Sequence, residues 1–205
     1  AAYGSIAYCV EAVLDIPWRF DKEVKTYFTV VRHDNLNDYP ELRMAQRQEE
    51  IKTFCCLFCQ SGPCMLTVTI PYGGYAAGQT IPIKIEYCNQ SNVDVERTKI
   101  RLKRFTNYTS QTPETKTKSE KMDVVQIFVD GVKEGTNNNM ECSLILPSIL
   151  VSSNGRFCRV VRTEYVLQVE GVVGDCHSNP KINIPIEIGR VAIGDFVQPT
   201  TYIPQ

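Results

Sequence analysis

The sequence contains little that would indicate catalysis or a membrane span. It has one tryptophan and two histidines. Neither His33 nor His177 stands in a pattern with serine or carboxylate residues that would suit nucleophilic catalysis. No apolar run approaches the ~20 residues that a bilayer-spanning helix needs, and a net charge of −1 gives no general attraction to nucleic acid. We therefore expect a non-enzymatic protein without a cofactor and without a nucleic-acid partner.

The first residues, AAYGSIAYCVEAVL, lack the basic segment of a signal peptide and alternate in hydropathy instead. This pattern begins abruptly, so we expect the chain to be a piece of a longer protein.

The cysteines bear on the cellular compartment. There are nine, an odd number, and Trp18 lies outside their cluster, unlike the core tryptophan of a disulfide-bonded immunoglobulin domain. Two glycosylation triplets, Asn89-Gln-Ser91 and Asn107-Tyr-Thr109, point to secretion, but such triplets often arise by chance. We predict free thiols in a reducing cytosol.

Zinc is the alternative use of these cysteines. Cys56-x-x-Cys59 is half of a structural site, and Cys64 or Cys176-His177 would complete it if the fold brought them close. Nothing in the spacing requires this, and a lone C-x-x-C is a weak signal, so we favour small, mostly buried thiols that fill a turn and the start of a strand. We predict that no metal is bound.

Alternation with period two dominates the chain and predicts β-strands. It gives each strand one apolar face and one polar face, as two packed antiparallel sheets require. The predicted inward residues are Leu66, Val68, Ile70, Ile81, Ile83, Ile85, Tyr87, Met140, Cys142, Leu144, Leu146, Val161, Thr163, Tyr165, Leu167, Val169, Ile182, Ile184, Ile186 and Ile188. We predict seven or eight strands between 51 and 193, forming one β-sandwich.

The remaining segments set the predicted boundaries. Residues 1–33 hold two strands, one through Ile6 to Leu14 and one at TYFTVV, which cannot form a stable domain alone. They are interpreted as the last strands of a preceding sandwich. Residues 34–50 are interpreted as a polar linker, 51–198 as the main sandwich and 199–205 as the start of a tail. NYTSQTPETKTKSEK, 107–121, is predicted to be an exposed loop.

Several segments together resemble a known family. GSIAYCVEAVLDIPWRFDKEVKTYFTVV is similar to the end of the N-terminal domain of arrestin-domain-containing proteins, the α-arrestins. KTFCCLFCQSGPC, GGYAAGQTIPI, LPSIL, RTEYVLQV and NIPIEIG resemble successive motifs of their C-terminal domain. The resemblance implies an all-β fold: an antiparallel, immunoglobulin-like β-sandwich, the arrestin C-domain, preceded by two strands of a second sandwich.

The resemblance also implies a function. It predicts an adaptor in the cytoplasm, peripheral at the plasma membrane and endosomes, which links membrane-protein cargo to ubiquitination and endocytic trafficking and so regulates signalling. A structural subunit of a trafficking coat, like the arrestin-fold subunit of retromer, is the alternative. The family recruits HECT-type ubiquitin ligases through P-P-x-Y motifs in a tail. Pro199-x-x-Tyr202 lacks the paired proline, so that contact would need a tail beyond this sequence.

Two departures from the family pattern limit what is carried over. Ile16 stands where the family usually has arginine. Asn137 stands where one member has a cysteine that forms a mixed disulfide with thioredoxin, so thioredoxin binding is not carried over.

One strand is strongly basic. Lys99, Arg101, Lys103 and Arg104 follow Arg97 within eight residues, with Ile100 and Leu102 predicted to face inward. We expect Lys99, Arg101 and Lys103 to face solvent. Either they protect an exposed strand from edge-to-edge aggregation, or they bind acidic cargo tails or anionic lipid headgroups. The first two strands otherwise lack partners, so we expect them to pair with the rest of their own domain as a separate chain, with an open edge of the main sandwich, or with a second copy. We predict a strand-swapped homodimer or another intermolecular strand pairing of this fragment through residues 5–14 and 25–31.

Overall fold

The computed structural model describes residues 3–56, 59–174 and 177–194, with the backbone alone at 55–56 and 59–61. Short 3-10 helices occur at Leu36–Asp38 and Pro40–Arg43. No helix in these ranges is long and apolar enough to cross a membrane. The strands are β1 (Tyr8–Leu14), β2 (Lys22–Phe28), β3 (Gln46–Cys56), β4 (Cys59–Ile70), β5 (Gly74–Ala76), β6 (Thr80–Asn89), β7 (Val95–Ser110), β8 (Lys116–Val132), β9 (Asn137–Ile145), β10 (Val161–Val172) and β11 (Lys181–Gly189).

The strands form a two-layer sandwich and a separate hairpin. One layer has the order β5-β11-β10-β7-β8 and the other the order β3-β4-β6-β9, while β1 and β2 pair with each other. The pairing is antiparallel except between β5 and β11, which run parallel. The predicted all-β sandwich preceded by two strands is therefore confirmed.

The core lies between the two layers, where the alternation predicted it. Nearly all of the predicted inward side chains are buried, and the largest fully buried ones include Tyr87, Tyr165 and Leu167. The Tyr87 hydroxyl lies 3.0 Å from Thr98 Oγ1 and so joins the two sheets. Met140 and Cys142 are only partly buried, because β9 lies at the edge of its sheet.

The N-terminal hairpin is exposed on both faces. Its register runs from Tyr8 opposite Phe28 to Leu14 opposite Lys22, and all residues of both strands are exposed. The second strand starts and ends earlier than TYFTVV predicted. The hairpin meets the sandwich where the Tyr3 ring packs edge-on against Tyr108, with centroids 5.6 Å apart.

The segment predicted as a polar linker packs against the sandwich. Leu36 and Leu42 are buried, and β3 already begins at Gln46. Leu36 lies so close to Gly189 that a Cβ there would stand 2.6 Å from Leu36 Cγ. The Asp34 carbonyl accepts hydrogen bonds from the N–H groups of Arg190 and Val191, at 2.8 and 3.1 Å. This segment therefore packs on the sandwich, while the predicted domain boundaries stay a prediction.

The predicted exposed loop at 107–121 is wrong. β7 and β8 stay paired from Asn107 opposite Ser119 to Ser110 opposite Lys116, which leaves only 111–115 as the connection. Residues Lys116 to Ser119 are exposed on both faces of β8, so no alternation marked them as a strand. In the described part of the chain nine strands, β3 to β11, build the sandwich, and eight of them, β4 to β11, lie wholly between 51 and 193, in agreement with the predicted seven or eight. The three-residue β5 lies hidden in the glycine-rich connection.

Candidate functional site

The basic strand is β7, and it lies inside its sheet. β10 pairs with it on one side and β8 on the other. The interpretation that its charges protect an exposed edge is therefore wrong, because β7 has no free edge along its length.

The four candidate residues do not share one face. Lys99, Arg101 and Lys103 pair with Glu170, Gln168 and Val166, on the side away from the core. Arg104 instead pairs with Tyr165, whose side chain is buried in the core. Its guanidinium lies 3.3 Å from the Met122 sulfur on β8. Arg104 is thus separated from the other three by the sheet itself.

Arg101 is the centre of a polar network across three strands. Its guanidinium lies 2.6 Å from a Glu170 carboxylate oxygen and 3.3 Å from one of Asp123, and it also donates to the Gln168 side-chain oxygen. Gln168 donates onward to Asn183 at 2.7 Å. Only 15% of the Arg101 side chain is exposed. Ion pairs held this far from water are structural and leave little of the charge for a ligand.

Lys103 does not face solvent as predicted. It is 5% exposed, and its amine donates to the same Gln168 oxygen that Arg101 uses. Burial lowers the pKa of Lys103, and the neighbouring charges of Arg101 and Lys121 lower it further. Lys103 is buried because β7 lies inside the sheet, where neighbouring outward side chains cover it.

The accessible part of the basic strand is smaller than the sequence indicated. Arg97 is exposed and Lys99 is half-buried. Their charged ends lie 4.7 and 5.8 Å from the centroid of the Phe128 ring, within cation–π range. Binding of acidic peptides or anionic headgroups by Lys99, Arg101, Lys103 and Arg104 stays a prediction, and Lys99 is the member best placed for it.

A second site, which sequence reasoning missed, joins the hairpin to the sandwich. A cleft of about 1190 Å³ lies here, lined by Tyr8, Val31, Arg32, Leu150, Phe157 and other residues. The Arg32 guanidinium lies 3.9 Å from the centroid of the Phe157 ring and donates to the Ser153 carbonyl at 3.1 Å. It also forms an ion pair with Asp34.

Arg156, from the loop after β9, makes similar contacts with the following part of the linker, at Tyr39 and Glu41. Its guanidinium lies 2.9 Å from a Glu41 carboxylate oxygen and 3.7 Å from one of Glu187, and 4.6 Å from the centre of the Tyr39 ring. We call Arg32, Tyr39, Glu41, Arg156 and Phe157 the linker clamp. No periodic pattern marks such isolated side chains, so the linker clamp could not be predicted from local sequence.

The cysteine predictions are only partly covered by the described side chains. Cys9, Cys64, Cys88, Cys142 and Cys158 are unbridged. The side chains of Cys55, Cys56, Cys59 and Cys176 lie outside the described part, and so does the zinc site considered above. Among described residues no group of three or more potential ligands could hold a metal ion.

Comparison with known families decides the identity of the fold. Residues 60–193 match the family model for the arrestin (or S-antigen) C-terminal domain, and residues 1–37 match that for the N-terminal domain. The chain belongs to the arrestin family. Both halves of the predicted resemblance are confirmed, with the boundary falling near the linker clamp.

The relatives are arrestin-domain-containing proteins. The chain is 30% identical over 203 residues to arrestin domain-containing protein 4 of Mus musculus, covering 95% of the chain and 45% of the relative. It is 25% identical over 198 residues to arrestin domain-containing protein 17 of Caenorhabditis elegans, covering 92% and 43%. To arrestin domain-containing protein 1 of Rattus norvegicus it is 22% identical over 193 residues, covering 93% and 42%. The chain therefore spans less than half the length of these relatives.

Proposed function

We propose that this arrestin-family chain is part of a non-enzymatic cytoplasmic adaptor. It would link membrane-protein cargo to ubiquitination and endocytic trafficking, and so regulate signalling. The observation that carries the proposal is the similarity to arrestin domain-containing protein 4, at 30% identity over 95% of the chain.

The contacts of the linker clamp hold the linker firmly on the sandwich. A rigid connection of this kind suits an adaptor better than two loosely joined domains would. Leu36 and Leu42 are buried against the sandwich, Arg32 is tied to Ser153 just before them, and Arg156 is tied to Glu41 between them. A segment held this way transmits the position of whatever precedes it to the C-terminal sandwich. In an adaptor, a stiff connection of this kind would fix the distance between bound cargo and ligase and so set their effective concentration.

The proposed partners rest on the similarity to arrestin-domain-containing proteins. Cargo would be membrane proteins, and the ligase would be of the HECT type, reached through P-P-x-Y motifs in a tail. The protein would act peripherally at the plasma membrane and endosomes. Contact of Lys99 and its neighbours with anionic headgroups would assist there, at roughly 1 kcal/mol per accessible basic residue.

The exposed hairpin supports a narrower proposal about this chain alone. The outward side chains of Tyr8, Val10 and Leu14 are 49%, 61% and 60% exposed. Exposed apolar surface of this kind promotes association. A strand-swapped homodimer through residues 5–14 and 25–31 would cover it.

Proximity labelling in cells tests the adaptor proposal. The chain, within its full-length protein, would carry a labelling enzyme, and Leu167→Asp would serve as the control because Leu167 is fully buried and the variant should not fold. We expect labelled integral membrane proteins and a HECT-type ligase, with more ubiquitin on those membrane proteins when the adaptor is overproduced. A fixed, stoichiometric set of coat subunits that co-elutes with the protein would favour the coat alternative instead.

A further inference from the structure

β9 presents one open side. In the four-stranded layer it pairs only with β6, and no described strand lies on its other side. An edge strand of this kind exposes a row of backbone donors and acceptors that another strand can use.

The alternation of backbone hydrogen bonds along β6 shows which backbone groups of β9 point to its open side. The Asn89 N–H donates to the Thr136 carbonyl at 3.0 Å, and the Gln90 N–H to the Pro63 carbonyl at 3.0 Å. Odd residues of β6 therefore bond to β9, while even ones bond to β4. By the antiparallel register, the even residues of β9 use their backbone groups on β6. The backbone groups that face outward belong to Asn139, Glu141, Ser143 and Ile145.

This edge lacks the protection that the other long edges carry. β3 has four charged residues, Arg47, Glu49, Glu50 and Lys52. β8 has an irregular register next to Lys103 and charges along its length. β9 pairs with β6 in an unbroken register and carries one charge, Glu141. Natural sheets usually block long open edges with charges or bulges. An edge without such protection therefore indicates that β9 pairs with a further strand.

The flank of the sandwich beside this edge is incompletely covered. Met140 and Cys142 on β9, and Val125, Ile127 and Val129 on β8, are only partly buried although they pack against the core. An added strand would cover this flank with its inward side chains. Those side chains would be apolar at alternate positions, because the side chains of a strand alternate between the two faces.

Glu141 adds a charge preference. Lys84, its cross-strand neighbour, bonds to Glu86 at 2.8 Å instead. The charge of Lys84 acts on Glu141 only from a distance, so a basic residue on the outward face of the added strand would meet a carboxylate with no direct ion-pair partner among the described residues. A second copy of β9 cannot supply one, because NNNMECSLI contains no lysine or arginine.

We propose that the free edge of β9 binds an extended segment of another protein by strand addition. The segment has apolar residues at alternate positions facing Met140 and Cys142, and a basic residue facing Glu141. This surface is independent of the cargo and ligase roles proposed above.

A displayed library of random ten-residue peptides, selected on the full 205-residue chain, tests the proposal. The key variant is Ser143→Pro, which removes an outward N–H without touching the β6 ladder. Ser143→Ala is the matched control, because it changes the side chain and keeps the N–H. We expect enriched peptides with alternating apolar residues and a lysine or arginine. Their binding should weaken about tenfold in Ser143→Pro and persist in Ser143→Ala.

Glu141→Lys gives a second readout that does not depend on proline. It should shift selection toward peptides with an acidic residue at the same position. No enrichment, or peptides that bind Ser143→Pro as well as the parent chain, would overturn the proposal. A concentration-dependent dimer in sedimentation that Ser143→Pro abolishes would overturn it in favour of a second copy as the occupant.

Discussion

The Arg32 guanidinium stacks on the Phe157 ring, 3.9 Å from its centroid, although 124 positions separate the two residues. This contact ties the end of the N-terminal hairpin to the loop that follows β9. Together with the hydrogen bonds that the Asp34 carbonyl accepts from Arg190 and Val191, it links the segments that match the two arrestin domain models.

Replacing Phe157 with leucine tests this link. The change keeps an apolar side chain and removes the aromatic face, so we expect a loss of about 0.5–1 kcal/mol in the free energy of unfolding. Phe20→Leu is the control, because Phe20 is 96% exposed in the hairpin turn. Urea denaturation measures both variants, and equal losses would mean that the stacking contributes nothing.

Gly189→Ala tests the fit of the linker against the sandwich. An alanine Cβ would stand 2.6 Å from Leu36 Cγ and 2.9 Å from the Asp34 carbonyl oxygen, so Leu36 must move. We expect a loss of roughly 1–3 kcal/mol, measured by thermal or urea denaturation. Gly194→Ala, where a Cβ meets nothing within 4 Å, should be nearly neutral. A neutral Gly189→Ala would show that the linker packs loosely.

Charge reversal should lower the free energy of unfolding much more at Arg101 than at Lys99, two positions away on β7. Arg101→Glu puts a like charge beside Glu170 and Asp123 and breaks a largely buried network, so we expect a loss of about 3 kcal/mol or more. Lys99→Glu should cost less, about 1 kcal/mol, because Lys99 forms no ion pair like those of Arg101 with a described residue, and the change loses only the Phe128 contact and places a carboxylate opposite Glu170.

The stable Lys99→Glu variant then tests ligand binding. If Lys99 contacts anionic headgroups, this folded variant should bind phosphatidylserine vesicles more weakly at low salt. Unchanged vesicle binding would assign the basic strand to sheet structure alone.

Cys64 should resist alkylation in the folded protein. Burial, with a smaller contribution from Cys88, raises the pKa of the Cys64 thiol to about 11, so little thiolate forms at pH 8. Peptide mapping after iodoacetamide treatment should find exposed Cys9 modified early and Cys64 only after denaturation. Early labelling of Cys64 would mean that the start of β4 opens readily.

Truncation tests the hairpin and the linker separately. A chain that starts at Arg32 should fold and remain monomeric, because it keeps Leu36 and Leu42. A chain that starts at Gln46 loses both buried leucines, and we expect it to be less stable by about 3–6 kcal/mol. If the hairpin mediates the proposed swapped dimer, light scattering should find dimers only for the intact chain. Monomers of the intact chain at high concentration would refute that dimer.

Alternation alone determined most of the sandwich. Ile81, Ile83 and Ile85 face the core as predicted, because the two-residue period of a strand links sequence directly to side-chain direction. The signal failed where a strand is polar on both faces, as at Lys116–Ser119, and where a strand is as short as β5. The resemblance of the motifs to α-arrestins identified the family.

Only the tertiary structure decided which strands are neighbours, and that ordering changed the candidate sites. Lys103 is buried because β7 lies between β8 and β10, a fact that no local pattern around Lys103 contains. The contact between Arg32 and Phe157 and the open edge of β9 are likewise set by the tertiary structure and not by local sequence. Each depends on segments far apart in sequence meeting when the core forms, and the sequence encodes which faces are apolar more directly than which strands pair.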